Sequence, residues 1–171
     1  MLRYDETGIR QIDSRIKECE EKMNILNKVK GEAMIVEKST ANNAGLDFAK
    51  NEQISLKTQK DKLIEERNKS VLVKPHGDSN RVDLYDIVTV YDRTIDDEYQ
   101  VILTGKYDPI QDVSDVDEIT LNSPLGEIFG KTRGEVIPYT VRDVKHEVEI
   151  RDFAKSATVN STVKEETKDL K

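Results

Sequence analysis

The sequence predicts an α+β chain in two parts: an N-terminal antiparallel coiled-coil helical hairpin, then a small antiparallel β domain with one short helix. Three observations predict it. Apolar residues recur at spacings of three and four over residues 9–36, and again more thinly over 46–64, the period of a helix with one narrow buried stripe. Seven small or polar residues, 39–45, separate the two stretches. Beyond Pro75 and Gly77 the pattern changes to short β-branched runs divided by turn residues.

The first helix carries Ile9, Ile12, Ile16, Cys19, Met23 and Leu26 on one seam, with Lys17, Glu20 and Glu21 between them. Asp5 or Thr7 is placed to cap its start. The seam blurs near Gly31 and continues through Ala33, Met34 and Val36. The run STANNAG then reads as the turn of a hairpin. The second helix, 46–69, presents Leu46, Ala49, Ile54, Leu56, Leu63 and Ile64, a thinner face than that of the first. Two helices of similar length joined by a short turn pack antiparallel.

Pro75, Gly77 and Asn80 mark a linker. The expected boundaries are 1–73 for the hairpin, 74–80 for the linker, 81–153 for the β domain and 154–171 for a polar tail. Within the β domain, strands are expected at 83–91, 99–104, 118–121, 135–141 and 147–153, with Asp96 and Asp97 in a turn. Residues 123–130 read as one short helix, with Ser123 at the N-cap, Pro124 in the first turn and Gly130 at the end.

Bulk properties narrow the function. The chain has 171 residues, 36% of them charged and 36% apolar, and a net charge of -7. That composition suits much surface and little core. Residues 1–73 hold 14 Lys and Arg against 13 Asp and Glu, and the remainder hold 13 against 21. An acidic C-terminal half argues against broad binding of a phosphate backbone. The single cysteine, Cys19, excludes an internal disulfide, and two histidines, His76 and His146, make poor material for a metal site. No cofactor is expected. No apolar run is long enough to span a bilayer, and the first residues lack a signal pattern, so a cytoplasmic protein is expected; a monomer is expected as well.

The most specific segment is Asn122-Ser123-Pro124-Leu125-Gly126-Glu127-Ile128-Phe129-Gly130-Lys131-Thr132-Arg133-Gly134-Glu135-Val136. It resembles the SP(I/L)G…LxGKxxGDxV signature of the GreA/GreB family of transcription elongation factors. The hairpin turn supports the same resemblance: Asn43, Ala44, Ala49, Lys50 and Gln53 match that family's GDLxENAEYxAAKExQ, with Glu52 beside the place of its last Glu. The likeness covers about residues 5–153. A departure lies in the last hairpin, where the family has Pro-Gly-Gly and this chain has Arg142-Asp143-Val144-Lys145.

The resemblance implies a coiled-coil hairpin and an FKBP-like C-terminal domain. It implies bacterial RNA polymerase as partner, with the hairpin in the secondary channel and the β domain at its rim. It makes Ser123, Pro124, Leu125 and Gly126 candidates for docking; Ser123 as a purely structural cap is the other reading. In the family, an Asp and a Glu at the tip help hold magnesium for cleavage of backtracked RNA, with the chemistry done by the polymerase. Those two places fall on Ser39 and Asn42 here, beside Asn43. A unit charge about 4 Å from a divalent ion contributes roughly 8 kcal/mol at an effective dielectric near 20. Losing two carboxylates should therefore abolish most recruitment of the ion. The expectation is a channel-binding regulator that is not an enzyme and does not stimulate cleavage. The alternative is a cleavage factor using a relocated acid, Glu37 or Asp47. An FKBP-like chaperone and a coiled-coil adaptor unrelated to polymerase are further readings.

Other polar residues read as structural. Asp112, Asp115, Asp117 and Glu118 suit a solvated acidic loop, Cys19 the helix seam, and His146 the surface at a strand start.

Overall fold

Asp5 closes a short strand, β1 (Leu2–Tyr4), and opens the first helix, α1 (Glu6–Val36). Its Oδ1 accepts the Gly8 amide at 2.7 Å, satisfying one of the amides that a helix start leaves without an internal partner. The computed structural model describes residues 1–36, 44–107 and 116–155. Chain packing divides these into two units, Met1–Leu2 with Ile9–Val71, and Arg3–Gly8 with the described part of Leu72–Lys171.

The first unit is the hairpin of α1 and α2 (Ala44–Lys69). On α1, Ile12 and Cys19 are buried; on α2, Ala49, Leu56 and Leu63 are. The three α2 residues stand seven apart, one column of a heptad. The thin second face therefore has a definite form: one apolar column, flanked by the half-buried polar residues Gln53, Lys60 and Arg67. Among the described residues, no helix is long and apolar enough to cross a membrane.

The second unit is built on a five-stranded sheet. Its strands are β3 (Asp86–Asp92), β4 (Asp97–Thr104), β5 (Asp117–Thr120), β6 (Val136–Val141) and β7 (Val144–Lys155), ordered β5-β4-β3-β7-β6. A separate short strand, β2 (Ser70–Leu72), pairs with β1; three-residue strands carry too little alternation to be read from sequence. The β3–β4, β3–β7 and β6–β7 pairs are antiparallel, but β4 and β5 run parallel. The sequence reading expected antiparallel pairing throughout. Residues 105–116, between β4 and β5, have the dozen or so residues that a return crossover needs.

One face of the sheet holds the core. Val88 and Val90 of β3, Val101 and Leu103 of β4, and Val148 and Ile150 of β7 alternate inward and pack with Leu121, Leu125 and Ile128. A β-bulge at Thr89 and Val90 shifts the β3–β7 register, so that Val88 pairs with Phe153 and Val90 with Ile150.

Two elements differ from expectation. The strand expected from residue 83 begins at Asp86. The Asp83 carboxylate accepts the amides of His76, Gly77 and Leu84 at 3.2, 2.8 and 2.8 Å, which holds the chain there in a turn rather than a ladder. The helix expected at 123–130 is a 3-10 helix, Pro124–Ile128, and Ser123 makes no side-chain cap. Its hydroxyl instead donates to the Thr120 carbonyl at 2.7 Å. The last hairpin, where the sequence leaves the family pattern, is a two-residue turn: Arg142 and Asp143 have φ of 49° and 66°, and Val141 pairs with Val144. Two left-handed residues in a row give the turn whose twist matches a hairpin.

Candidate functional site

The signature segment folds as a strand end, a 3-10 turn and a loop against one core. Leu121 leaves β5 and is buried, its amide donating to the Thr104 carbonyl at 3.0 Å. Asn122 then forms a two-way amide pair with the chain start: the Arg3 amide donates to Asn122 Oδ1 at 2.8 Å and Asn122 Nδ2 donates to the Arg3 carbonyl at 2.9 Å. The Arg3 guanidinium donates to the Leu121 carbonyl at 2.7 Å and pairs with Glu127 at 3.0 Å. The exposed surface here is thus Asn122, Pro124 and Glu127, with Ser123 and Arg3 half-exposed. Sequence reasoning missed Arg3, whose partners lie more than 110 residues away.

The four docking candidates separate. Ser123 and Pro124 reach the surface, whereas Leu125 and Gly126 are buried. A Cβ on Gly126 would stand 2.5 Å from the Thr120 carbonyl oxygen and 2.6 Å from that of Leu121. Gly126 is therefore required by backbone packing, and Leu125 by the core.

The GKTRGEV half is a pair of glycine-dependent turns. Gly130 and Gly134 have φ of +76° and +82°, a region that side chains disfavour. Just past the second glycine Glu135 turns back, its Oε1 accepting from the Thr132 amide at 2.8 Å and the Thr132 hydroxyl at 2.9 Å. These bonds hold the Glu135 carboxyl below the usual range. Beside this loop, Ser79, Asn80, Thr132, Arg133 and Phe153 line a cleft of about 440 Å³. Arg133 stacks over the Phe153 ring at 5.4 Å and pairs with Asp152. Tyr99, Phe129, Tyr139 and Phe153 pack against the core.

Ser39, Asn42 and Asn43, the candidate tip, and Glu37 lie outside the described residues, as do Asp112 and Asp115. Asp47, the other candidate acid, is exposed in the first turn of α2 and pairs with Lys50 at 3.3 Å. Asp117 and Glu118 belong to β5, where Glu118 pairs with Lys106 at 2.9 Å.

Two buried charge networks were not foreseen. His146, expected at the surface, has a side chain only 16% exposed. Its Nδ1 lies 2.7 Å from Asp92 Oδ2, and its ring stacks on Tyr139. Tyr139 donates to the same oxygen at 3.3 Å. Burial raises the Asp92 pKa, but the Thr94 amide, His146 and Tyr139 outweigh it and hold the carboxyl below the usual range. Burial and its Tyr99 and Asp92 neighbours push the Tyr139 hydroxyl well above its ordinary value. In the second network, Lys155 Nζ lies 2.8 Å from Asp86 Oδ1 and 3.5 Å from Asp83 Oδ2, and both carboxylates are buried. The signal available was Asp83 and Asp86 flanking a strand start, which reads equally well as a solvated turn. Among the described residues, no group of three His, Cys, Asp or Glu side chains is placed to hold a metal ion.

No protein-family model matches the chain, and a search of curated proteins finds no match. Solved structures give loose likenesses. GreA factor homolog 1 (Gfh1) of Thermus thermophilus is 18% identical, with 90% of this chain and 98% of that one covered and a TM-score of 0.40. Gfh1 of Thermus aquaticus is 18% identical, with coverage of 89% and 97% and a TM-score of 0.40. A transcription elongation factor GreA/GreB from Nitrosomonas europaea is 19% identical, with coverage of 61% and 90% and a TM-score of 0.36.

Proposed function

We propose that this chain is a regulator of transcription that binds bacterial RNA polymerase through its secondary channel and does not stimulate transcript cleavage. The observation that carries the reading is the SPLG…GKTRGEV segment standing, in family order, after a long helical hairpin. The hairpin is the element that enters the channel. The Ser123 and Pro124 surface, extended by Asn122 and Glu127, is the docking edge of the β domain. The absence of cleavage follows from Ser39 and Asn42, neutral side chains at the places of the family's magnesium-holding acids. The protein is a ligand of an enzyme and not itself a catalyst.

The test restores the acids. Ser39→Asp with Asn42→Glu, in the full chain, should confer RNA shortening on stalled bacterial elongation complexes. Silence from a variant that still co-purifies with polymerase would show that the hairpin does not reach the active site. Asp47→Asn and Glu37→Gln in the parent chain separate the relocated-acid reading, which requires parental cleavage that one of them removes.

A further inference from the structure

The hairpin is cross-braced on one side by three polar rungs. Arg67 Nε donates to Asp13 Oδ1 at 2.9 Å, Lys60 Nζ to Glu20 Oε1 at 3.4 Å, and the Gln53 amide to Asn27 Oδ1. Gln53 also accepts from Lys30 Nζ at 2.8 Å. On α1 the rungs fall at 13, 20 and 27, and on α2 at 67, 60 and 53. Each step of seven along α1 is matched by a step of seven back along α2. One antiparallel register therefore describes all three, and all three stack on one side of the coiled coil.

The α2 ends of the rungs occupy seam positions. Ala49, Leu56 and Leu63 form the buried column, and four residues beyond each come Gln53, Lys60 and Arg67. In an apolar coiled coil those places carry the second set of knobs. Here they carry polar side chains whose stems lie along the seam and whose heads reach across it; the Lys60 side chain is 23% exposed. Polar residues at such places lower stability and gain register. A slip of one heptad loses an end rung and moves the helix about 10 Å along its axis. A slip of three residues sets Lys60 opposite Lys17 or Met23, and a slip of four sets it opposite Ile16 or Asn24; of these only Asn24 offers an oxygen acceptor, a neutral one in place of the Glu20 carboxylate.

We propose that the Asp13–Arg67, Glu20–Lys60 and Asn27–Gln53 rungs are positioning residues that lock the register of the hairpin and so fix how far its turn reaches. The importance of that reach rests on the polymerase-channel reading, whereas the register lock does not. Asp13→Arg with Glu20→Lys reverses the α1 side of two rungs, and Lys60→Glu with Arg67→Asp reverses the α2 side. Spin labels are placed on cysteines substituted for Glu18 and Lys62, both exposed, in a full-length Cys19→Ala background. The parent should give one narrow interlabel distance. Each reversed side alone should broaden that distance or displace it by up to about 10 Å, and the two sides together should restore it. In competition with a cleavage-stimulating factor on polymerase, each side alone should lose potency about tenfold, and the combination should recover it. A parental distance in both one-sided variants, or no restoration by the combination, overturns the register lock. If the distances behave as expected but no variant, nor the parent, competes for polymerase, the register lock stands and the channel reading fails.

Discussion

His146 Nδ1 lies 2.7 Å from Asp92 Oδ2, joining the end of the central strand β3 to the edge hairpin of β6 and β7. The imidazole also fills the space beside Tyr139, with ring centres 4.9 Å apart. His146→Ala removes both contacts and leaves a buried carboxylate short of a partner. The expected loss is on the order of 1–3 kcal/mol in urea unfolding followed by a probe in the β domain. An unchanged midpoint would mark the contact as incidental.

Asp92 and Asp83 also set a pH dependence. Both carboxyls are held below their ordinary values in the folded chain. Between the folded and unfolded values the unfolded chain binds more protons, so stability rises with pH there. Their contribution is complete above about pH 4, the ordinary carboxylate range, and is lost as pH falls through the depressed folded values. Unfolding free energies measured across that acid range should fall for the parent and fall less steeply for Asp92→Asn. Parallel slopes would contradict the assignment.

Lys155 closes the second network at the end of β7. Burial opposes its charge, but Asp86 and Asp83 raise its pKa above the ordinary lysine value. Lys155→Met leaves two buried carboxylates without their cation. Because the ammonium is half-exposed, the cost should be about 1–3 kcal/mol, below the 3–5 typical of fully buried pairs. Lys155→Arg should recover most of it. Equal melting of the Met and Arg variants would argue against the ion pair.

Within the signature segment, folding and docking should separate by position. Gly126→Ala places a methyl group against two carbonyl oxygens and should cost about 1–3 kcal/mol. Pro124→Ala, at the exposed start of the 3-10 helix, should change stability little and weaken polymerase binding. Melting and pull-down of the same two variants distinguish these. If Pro124→Ala binds polymerase as well as the parent, the docking edge lies elsewhere.

The hairpin was legible because its signals are local: Ile12, Cys19, Leu56 and Leu63 repeat at fixed spacing, and the same residues are buried. The succession of strands along the chain was legible for the same reason, through Ile87–Val90 alternation and the turn at Asp96. The parallel β4–β5 pair was not, since direction depends on where a long connection returns. Nor were the rungs, Arg3 with Leu121, or Asp92 with His146. Each joins polar groups far apart in sequence, and the polar side chains involved, read locally, suit a solvated face. The SPLG motif was only half informative: the fold itself needs Leu125 and Gly126, whereas Ser123 and Pro124 reach the surface.

Channel binding without stimulated cleavage is tested by transcript cleavage on stalled bacterial elongation complexes. The parent chain, added alone, should leave the RNA length unchanged. Added before a cleavage-stimulating factor, it should suppress that factor's cleavage in a concentration-dependent way. Shortening of the RNA by the parent chain alone would contradict binding without cleavage, and a failure to compete at any concentration would contradict binding in the channel.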